Sequence, residues 1–281
     1  MRNYKALVWE DMRLRLGEGP FYDPRYQRYS WVDIIDRKLW IRERNGRPSF
    51  VDVGQKIGAA VPLRRSDGFV LALEDGLYVY EDGKISLLKD TGEQYGSFRR
   101  SNDAKADPVG RLWFGSSADD GIHEDSGDLF CYDKGEVTVK QEGTKISNGM
   151  AWSSDRKTFY FSDSTYHQVF SYDFDIETGS ISNRRVIVDM GSGIPDGLCI
   201  DSEDNLWIAV WGGRRVERRS GKTGELLGIV EVDALNVTSC AFDGDLLIIT
   251  TSGEGQSGRY DGSVFCVETD VNGPAPDYVV L

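Results

Sequence analysis

Short apolar runs rich in β-branched and aromatic residues recur along the chain. Each run is four or five residues long, and most follow a turn that contains Asp, Gly or Pro. Apolar residues at helical spacing are nowhere sustained, so the pattern predicts strands rather than helices. The runs cover Tyr29–Val32, Phe69–Leu73, Leu112–Gly115, Phe159–Ser162, Leu206–Ala209 and Leu246–Ile249.

These runs are spaced almost evenly. Each run contains one residue at an equivalent position, which we call its anchor. The anchors are Trp31, Val70, Trp113, Tyr160, Trp207 and Leu247. The steps between anchors are 39, 43, 47, 47 and 40 residues. A unit of about 45 residues with about four strands is typical of a β-propeller blade. We therefore predict an all-β fold, a six-bladed β-propeller of four-stranded antiparallel blades, formed by residues 1–281 as a single domain.

Three further points bear on this fold prediction. A two-sheet sandwich is the alternative all-β architecture, but it predicts no period of this length. The N-terminal run Ala6–Trp9 lies outside the six units, and we expect it to pair with C-terminal strands and close the ring. Glycine makes up 32 of 281 residues, about 11% against a usual ~7%, which fits a fold with many tight turns.

Charge and composition narrow the classes of partner and site. The chain has 33 basic and 46 acidic residues and a net charge of −13, which argues against nucleic acid or an anionic membrane as a partner. Two histidines, His123 and His167, exclude a three-histidine zinc centre. No segment reads as a signal peptide or a membrane span, and the four cysteines form no CxxC pair. We expect a cytoplasmic protein with buried thiols.

Candidate chemistry lies at a shared offset before the anchors. Eleven to thirteen residues upstream of five anchors stand Glu18, Ala59, Asn102, Asn148 and Asp196, and the sixth repeat offers Thr238 or Ser239 at eight or nine. Because the innermost strands of a propeller line its central channel, we expect these oxygens to converge there. Two buried carboxylates repel each other unless a positive charge lies between them. The pattern predicts a divalent cation, preferably Ca²⁺, Mg²⁺ or Mn²⁺ and less readily Zn²⁺.

Simpler interpretations of the same residues remain open. Taken singly, Asp, Asn and Glu before a strand are also typical of turns and caps. Arg99 and Arg100 are either a solvated pair or, if Arg100 faces the channel, a contact for substrate oxygens. The acidic stretch from Ser116 to Asp125 is either a lid over the channel mouth or a plain solvated loop. Motifs of serine hydrolases, nucleotide-binding loops and HExxH metalloproteases are absent from the sequence.

Five ordered motifs carry a family resemblance. The sequence resembles the SMP-30/gluconolactonase/regucalcin family of six-bladed propellers from about Glu18 to Cys266. The motifs are Leu16–Pro20, Arg100–Asp103, Asp107–Arg111, Ile146–Gly149 and Ile194–Leu198.

The resemblance implies a metal-dependent hydrolase of sugar lactones that uses one divalent ion (Ca²⁺, Zn²⁺, Mn²⁺ or Mg²⁺) and no organic cofactor. By matching motifs, the metal ligands are Glu18, Asn148 and Asp196. The substrate contacts are Arg100, Asn102, the channel-facing Asp103 and Asp120, which stands where animal members carry Glu.

From these residues we form a hypothesis of mechanism. The metal acts as a Lewis acid on the lactone carbonyl, and Asp196 serves as general base for the attacking water, with a metal-bound hydroxide as the alternative base. A non-catalytic Ca²⁺-binding regulatory propeller of regucalcin type is the alternative function, and promiscuous esterase or phosphotriesterase action is a third. The expected partner is a small-molecule sugar lactone, and the expected assembly is a monomer or weak homo-oligomer.

Overall fold

The structure, a computed structural model, describes residues 1–96, 98–119 and 126–281. Its strands form six sheets, each built on four antiparallel strands, that are arranged as a six-bladed β-propeller, as the repeat predicted. The N-terminal segment contributes β1 (Arg2–Lys5) and β2 (Leu7–Glu10). Within the described part of the chain, the one helix is α1 (Gly92–Tyr95), and no helix is long and apolar enough to cross a bilayer.

The blades follow one another along the chain, each beginning with its innermost strand. Blade 1 contains β3 (Gly17–Asp23), β4 (Arg28–Asp33), β5 (Lys38–Glu43) and β6 (Ser49–Asp52). Blade 2 contains β7 (Ile57–Pro62), β8 (Phe69–Leu73), β9 (Gly76–Glu81) and β10 (Lys84–Asp90). Blade 3 contains β11 (Arg99–Ala106), β12 (Leu112–Ala118), β13 (Gly127–Asp133) and β14 (Glu136–Thr144).

The second half of the ring repeats this arrangement. Blade 4 contains β15 (Ser147–Trp152), β16 (Thr158–Asp163), β17 (Gln168–Asp175) and β18 (Ser180–Asp189). Blade 5 contains β19 (Ile194–Ile200), β20 (Asn205–Trp211), β21 (Arg215–Ser220) and β22 (Leu226–Glu231). Blade 6 contains β23 (Asn236–Asp243), β24 (Leu246–Ser252) and β25 (Val264–Glu268).

The six apolar runs that set the sequence period are the second strands of the blades. They correspond to β4, β8, β12, β16, β20 and β24. Each of these strands is buried on both faces, because each blade packs between two neighbours. The anchors Trp31, Trp113 and Trp207 are among the largest fully buried side chains. The continuous apolar runs therefore reflect sheets that are covered on both sides.

The N-terminal segment closes the ring at two places. As predicted, β2 pairs antiparallel with β25 and supplies the outermost strand of blade 6. In addition β1 pairs in parallel with β22, which gives blade 5 a fifth strand. The sequence did not predict this second pairing, since the polar strand Arg2–Lys5 has no apolar alternation.

Every innermost strand has a break in its pairing with the second strand of its blade. In blades 1, 3, 4 and 5 the break spans two residues near the start of the strand. Blades 2 and 6 have one-residue breaks at Gly58 and Thr238. A bulge leaves its residues outside the ladder and redirects their side chains. The breaks are Glu18/Phe21, Ile57/Ala59, Ser101/Ala104, Ser147/Met150, Pro195/Leu198 and Val237/Ser239.

Glycines at these breaks let neighbouring blades approach closely. A Cβ on Gly149 of blade 4 would lie 2.3 Å from the backbone nitrogen of Leu198 in blade 5. A Cβ on Gly197 would likewise lie 2.2 Å from Ser239 Oγ in blade 6. Real Cβ atoms do not approach other atoms this closely, so only glycine fits at these positions of the hub.

Candidate functional site

Four blades direct polar side chains into the same end of the central channel. Glu18 of β3, Asn148 of β15 and Asp196 of β19 lie at or inside the pairing breaks, as do Asn102 and Asp103 of β11. All five are buried, with 4% to 8% of their surface exposed. The shared offset in the sequence thus corresponds to a shared bulge, which turns each side chain out of its blade and towards the axis.

The carboxylates of this cluster are electrostatically frustrated. Burial, reinforced by the charges of Asp196 and Asp103, raises the pKa of Glu18 well above its usual value. Burial and the charge of Asp103 do the same to the pKa of Asp196, against a hydrogen bond from Asn148. Burial also raises the pKa of Asp103, although Lys105 opposes the shift. Such a cluster holds its negative charge poorly unless a cation is bound.

Asn148 presents an unsatisfied oxygen to this cluster. Ser164 Oγ donates its proton to the carbonyl of Pro195 at 2.8 Å, and therefore accepts a hydrogen bond from Asn148 Nδ2 at 2.9 Å. This pairing fixes the amide orientation, and Asn148 Oδ1 is left buried without any hydrogen-bond partner. A buried orphan acceptor of this kind needs an external donor or cation.

Arg100 lies at the rim of the cluster and is held by several acceptors. Its Nη1 donates to Asn102 Oδ1 at 2.9 Å and to the Ser101 carbonyl at 2.7 Å. Its Nε donates to Asp119 Oδ1 at 3.2 Å, and Lys56 forms an ion pair with the same carboxylate. The charge of Arg100 also opposes the rise in the Glu18 pKa, so this guanidinium lies beside the cluster, and its contact with substrate stays a prediction.

The remaining candidates form contacts within or between blades, and the contact of Asn102 with substrate stays a prediction. Asn102 Nδ2 donates to the Ser147 carbonyl at 2.9 Å, so this amide links blade 3 to blade 4 and holds Arg100. Thr238 Oγ1 donates to the Gly17 carbonyl at 2.6 Å, and Ser239 packs against Gly197. Arg99, next to Arg100, is paired with Asp128 in its own blade.

One predicted residue lies outside the described part of the chain, and three residues that were not predicted belong to the site. Asp120 lies outside the described residues, so its contact with substrate stays a prediction. Ser164, Asp119 and Lys56 take part in the site without having been predicted. Asp119 lies in the acidic stretch that the sequence marks, but Ser164 and Lys56 come from other strand ends and carry no local signal.

The donor set fits a hard cation only if the amide takes part. Across the ranges that the structure describes, no three His, Cys, Asp or Glu side chains are grouped closely enough to hold a metal ion. Two carboxylates, Glu18 and Asp196, together with the free Asn148 Oδ1, form an all-oxygen set of the type that Ca²⁺, Mg²⁺ and Mn²⁺ prefer.

Comparisons with known proteins show the family of the chain. The chain is 35% identical to pentonolactonase XacC of Haloferax volcanii over 90% of this chain and 88% of that protein. It is 35% identical to regucalcin of Xenopus laevis over 82% and 80% of the two chains. A solved structure described as a calcium-binding protein, regucalcin, from Agrobacterium tumefaciens superposes with a TM-score of 0.93 at 26% identity, covering 100% of both chains. The profile described as SMP-30/Gluconolactonase/LRE-like region matches residues 16–253, and the chain therefore belongs to this family.

Proposed function

We propose that this protein is a lactonase that hydrolyses a sugar lactone to the aldonic acid with the help of one divalent metal ion. Glu18, Asn148 and Asp196 would hold the ion through oxygen atoms. When bound, the ion supplies Lewis acidity towards the carbonyl of the lactone. The single observation that carries the proposal is the buried, partnerless Asn148 Oδ1 beside two buried carboxylates.

The chain's own groups divide the remaining work. Asp196 is the general base, accepting a proton from the attacking water on a carboxylate oxygen. Arg100 orients ring hydroxyls at the channel mouth, where its guanidinium is already held by Asn102 and Asp119. Asp103, buried beside the other acids, provides a further acceptor for substrate hydroxyls. The net charge of −13 suits a neutral lactone better than an anionic ester.

The test combines one substitution with metal removal. Asp196→Asn removes the base and one ligand charge but keeps the side-chain volume, so we expect lactone hydrolysis to be lost while the fold persists. Asp233→Asn makes the same chemical change at an exposed acid and is the matched control. Rates are measured with five- and six-membered aldonolactones after chelation and after add-back of Ca²⁺, Mg²⁺, Mn²⁺ or Zn²⁺. Near-normal rates in Asp196→Asn, or full activity in chelator, would contradict the proposal.

A second candidate is a non-catalytic calcium-binding regulator, favoured by the similarity to proteins named regucalcin. Both functions use the same oxygen ligands, so metal binding alone does not separate them. The guanidinium of Arg100, held by its neighbours, favours the enzyme, because a protein that only binds calcium needs no cation at the mouth of the channel. Stoichiometric Ca²⁺ binding with no lactonase rate under any metal would favour the regulator.

We also propose a reducing, cytoplasmic location. All four cysteines are free thiols, and Cys131, Cys199 and Cys240 are buried. Cys199 and Cys240 come from neighbouring blades, and their Sγ atoms lie 3.5 Å apart. A reducing compartment would keep these two thiols unpaired, because disulfides are rare where thiols are kept reduced. Thiol titration of the protein denatured directly from cells would test this location.

A further inference from the structure

The opposite end of the channel contains a cavity that the proposed lactonase site does not use. Its volume is about 370 Å³, within the range of about 300–1,000 Å³ that small-molecule sites occupy. The walls are the C-terminal ends of innermost strands, whose N-terminal ends carry the acidic cluster. Aromatic side chains from blades 1, 4 and 6 line it, namely Tyr22, Trp152 and Phe242.

A C-terminal strap forms the rim of this cavity. On one side the strap is anchored where Gly273 N donates to the Gly244 carbonyl at 2.8 Å. On the other side Val279 N donates to the Pro62 carbonyl at 3.0 Å, and Tyr278 stacks on the Arg25 guanidinium at 3.7 Å. The residues between the anchors, Pro274–Asp277, contribute to the lining, and their two prolines restrict the backbone. The rim is therefore a built feature rather than a loose terminus.

The balance of charged side chains in the cavity lining differs from that of the whole chain. Lys105 and Arg156 line it against a single carboxylate, Asp277. Lys105 Nζ reaches from blade 3 to the Leu198 carbonyl of blade 5 at 2.9 Å, so it crosses the channel as the floor of the cavity. This bond uses one of the three ammonium hydrogens. The lining thus carries two cations and one carboxylate, in a chain of net charge −13, and Asp103 of the acidic cluster is a second acid that acts on Lys105.

We propose that this cavity binds a small aromatic carboxylate, with the ring between the aromatic walls and the carboxylate towards Lys105 and Arg156. Apolar burial of the ring and pairing with the two cations each favour this class over neutral or cationic ligands. The acidic cluster at the other end of the channel would repel the same ligand. This assignment does not rest on the proposed lactonase function, and binding is measured without a lactone, so the two assignments are tested separately.

The test is calorimetric titration of the metal-loaded protein with benzoate, 3-phenylpropionate and indole-3-acetate. At least one should bind saturably at a single site, and its neutral primary amide should bind at least tenfold more weakly. Arg156→Gln should weaken carboxylate binding about fivefold, whereas Arg185→Gln, on the outer strand of blade 4, should leave it unchanged. Ala241→Phe, which fills the cavity, should abolish it.

Three results would overturn the proposal. They are no saturable binding by any of the three acids, equal binding of acid and amide, and undiminished binding in Ala241→Phe. If Ala241→Phe fails to fold, Arg156→Gln decides, because Arg156 is an exposed turn residue whose loss leaves the core untouched. Unchanged affinity in that variant contradicts the assignment of the carboxylate to this cavity.

Discussion

The closeness of the blades at the hub predicts the effect of adding one methyl group. In Gly149→Ala the new Cβ would lie 2.3 Å from Leu198 N, 2.7 Å from Leu198 Cγ and 2.8 Å from Gly197 C. Ordinary contact begins at 3.4 Å, so blades 4 and 5 must separate locally by 3.4 − 2.3 = 1.1 Å. Two of the three obstructing atoms are backbone, which cannot rotate away. Overpacking of this kind costs about 1–3 kcal/mol, against a gain of about 0.4–1 kcal/mol from a less flexible unfolded chain.

The assay is urea unfolding of Gly149→Ala beside Gly92→Ala. In the control the nearest atom to a new Cβ is Asp90 Oδ1 at 3.2 Å, the end of an exposed side chain. We expect a lower midpoint with an unchanged slope for Gly149→Ala, and no loss for Gly92→Ala. Because Asn148 precedes the site of strain and Asp196 lies across from it, lactonase activity should fall about 100-fold for a shift of about 1 Å. Equal midpoints for the two variants would refute the close-packing argument.

Three further predictions follow from buried groups. In Ser164→Ala the Asn148 amide loses the acceptor that orients it, so calorimetry should show Ca²⁺ affinity reduced about tenfold, and unchanged affinity would show that the amide is held otherwise. The pKa values of Glu18 and Asp196 are raised in the folded protein. Without metal, the fold therefore loses stability as pH rises from the usual carboxyl range through these raised values. The melting temperature in chelator should therefore rise as pH falls from 8 towards the usual carboxyl range, an increase that excess Ca²⁺ should remove; a flat profile in chelator contradicts this. Asp107→Asn leaves the buried Arg111 without its counter-ion and should cost about 3–5 kcal/mol in urea unfolding, whereas Asp173→Asn at an exposed pair should change nothing measurable.

The fold was largely predictable because it is periodic. Six apolar runs at nearly even spacing located the second strand of every blade, and the fully buried Trp113 and Trp207 mark equivalent places in blades 3 and 5. The pairing of β2 with β25 was predicted because the N-terminal apolar run lies outside the six repeat units. The pairing of β1 with β22 was not predictable, since a polar strand at a sheet edge leaves no pattern in the sequence.

The candidate site was predictable only in part. The shared offset of Glu18, Asn148 and Asp196 marked residues that lie at or inside the pairing breaks of their strands. It did not reveal the bulge that causes the offset, because a bulge is a property of strand register. Acids that serve structure were also indistinguishable by sequence from solvated ones. Asp201, for example, is fully buried and accepts hydrogen bonds from the indole of Trp207 at 3.0 Å and from the guanidinium of Arg218 at 2.9 Å. Residue type does not reveal such partners, which come from a different strand.

The position of the closing strand also determines when the protein can finish folding. Glu10 pairs with Val264, so the ribosome must add 264 − 10 = 254 residues after the first before the two strands can meet. At about 5–20 residues per second this takes roughly 13–50 s, during which blade 6 lacks its outer strand. Glu18 in blade 1 and Asp196 in blade 5 lie on opposite sides of that open seam. The acidic cluster is therefore completed only after Val264 has been made, and a cation bound there would help to hold the finished ring closed.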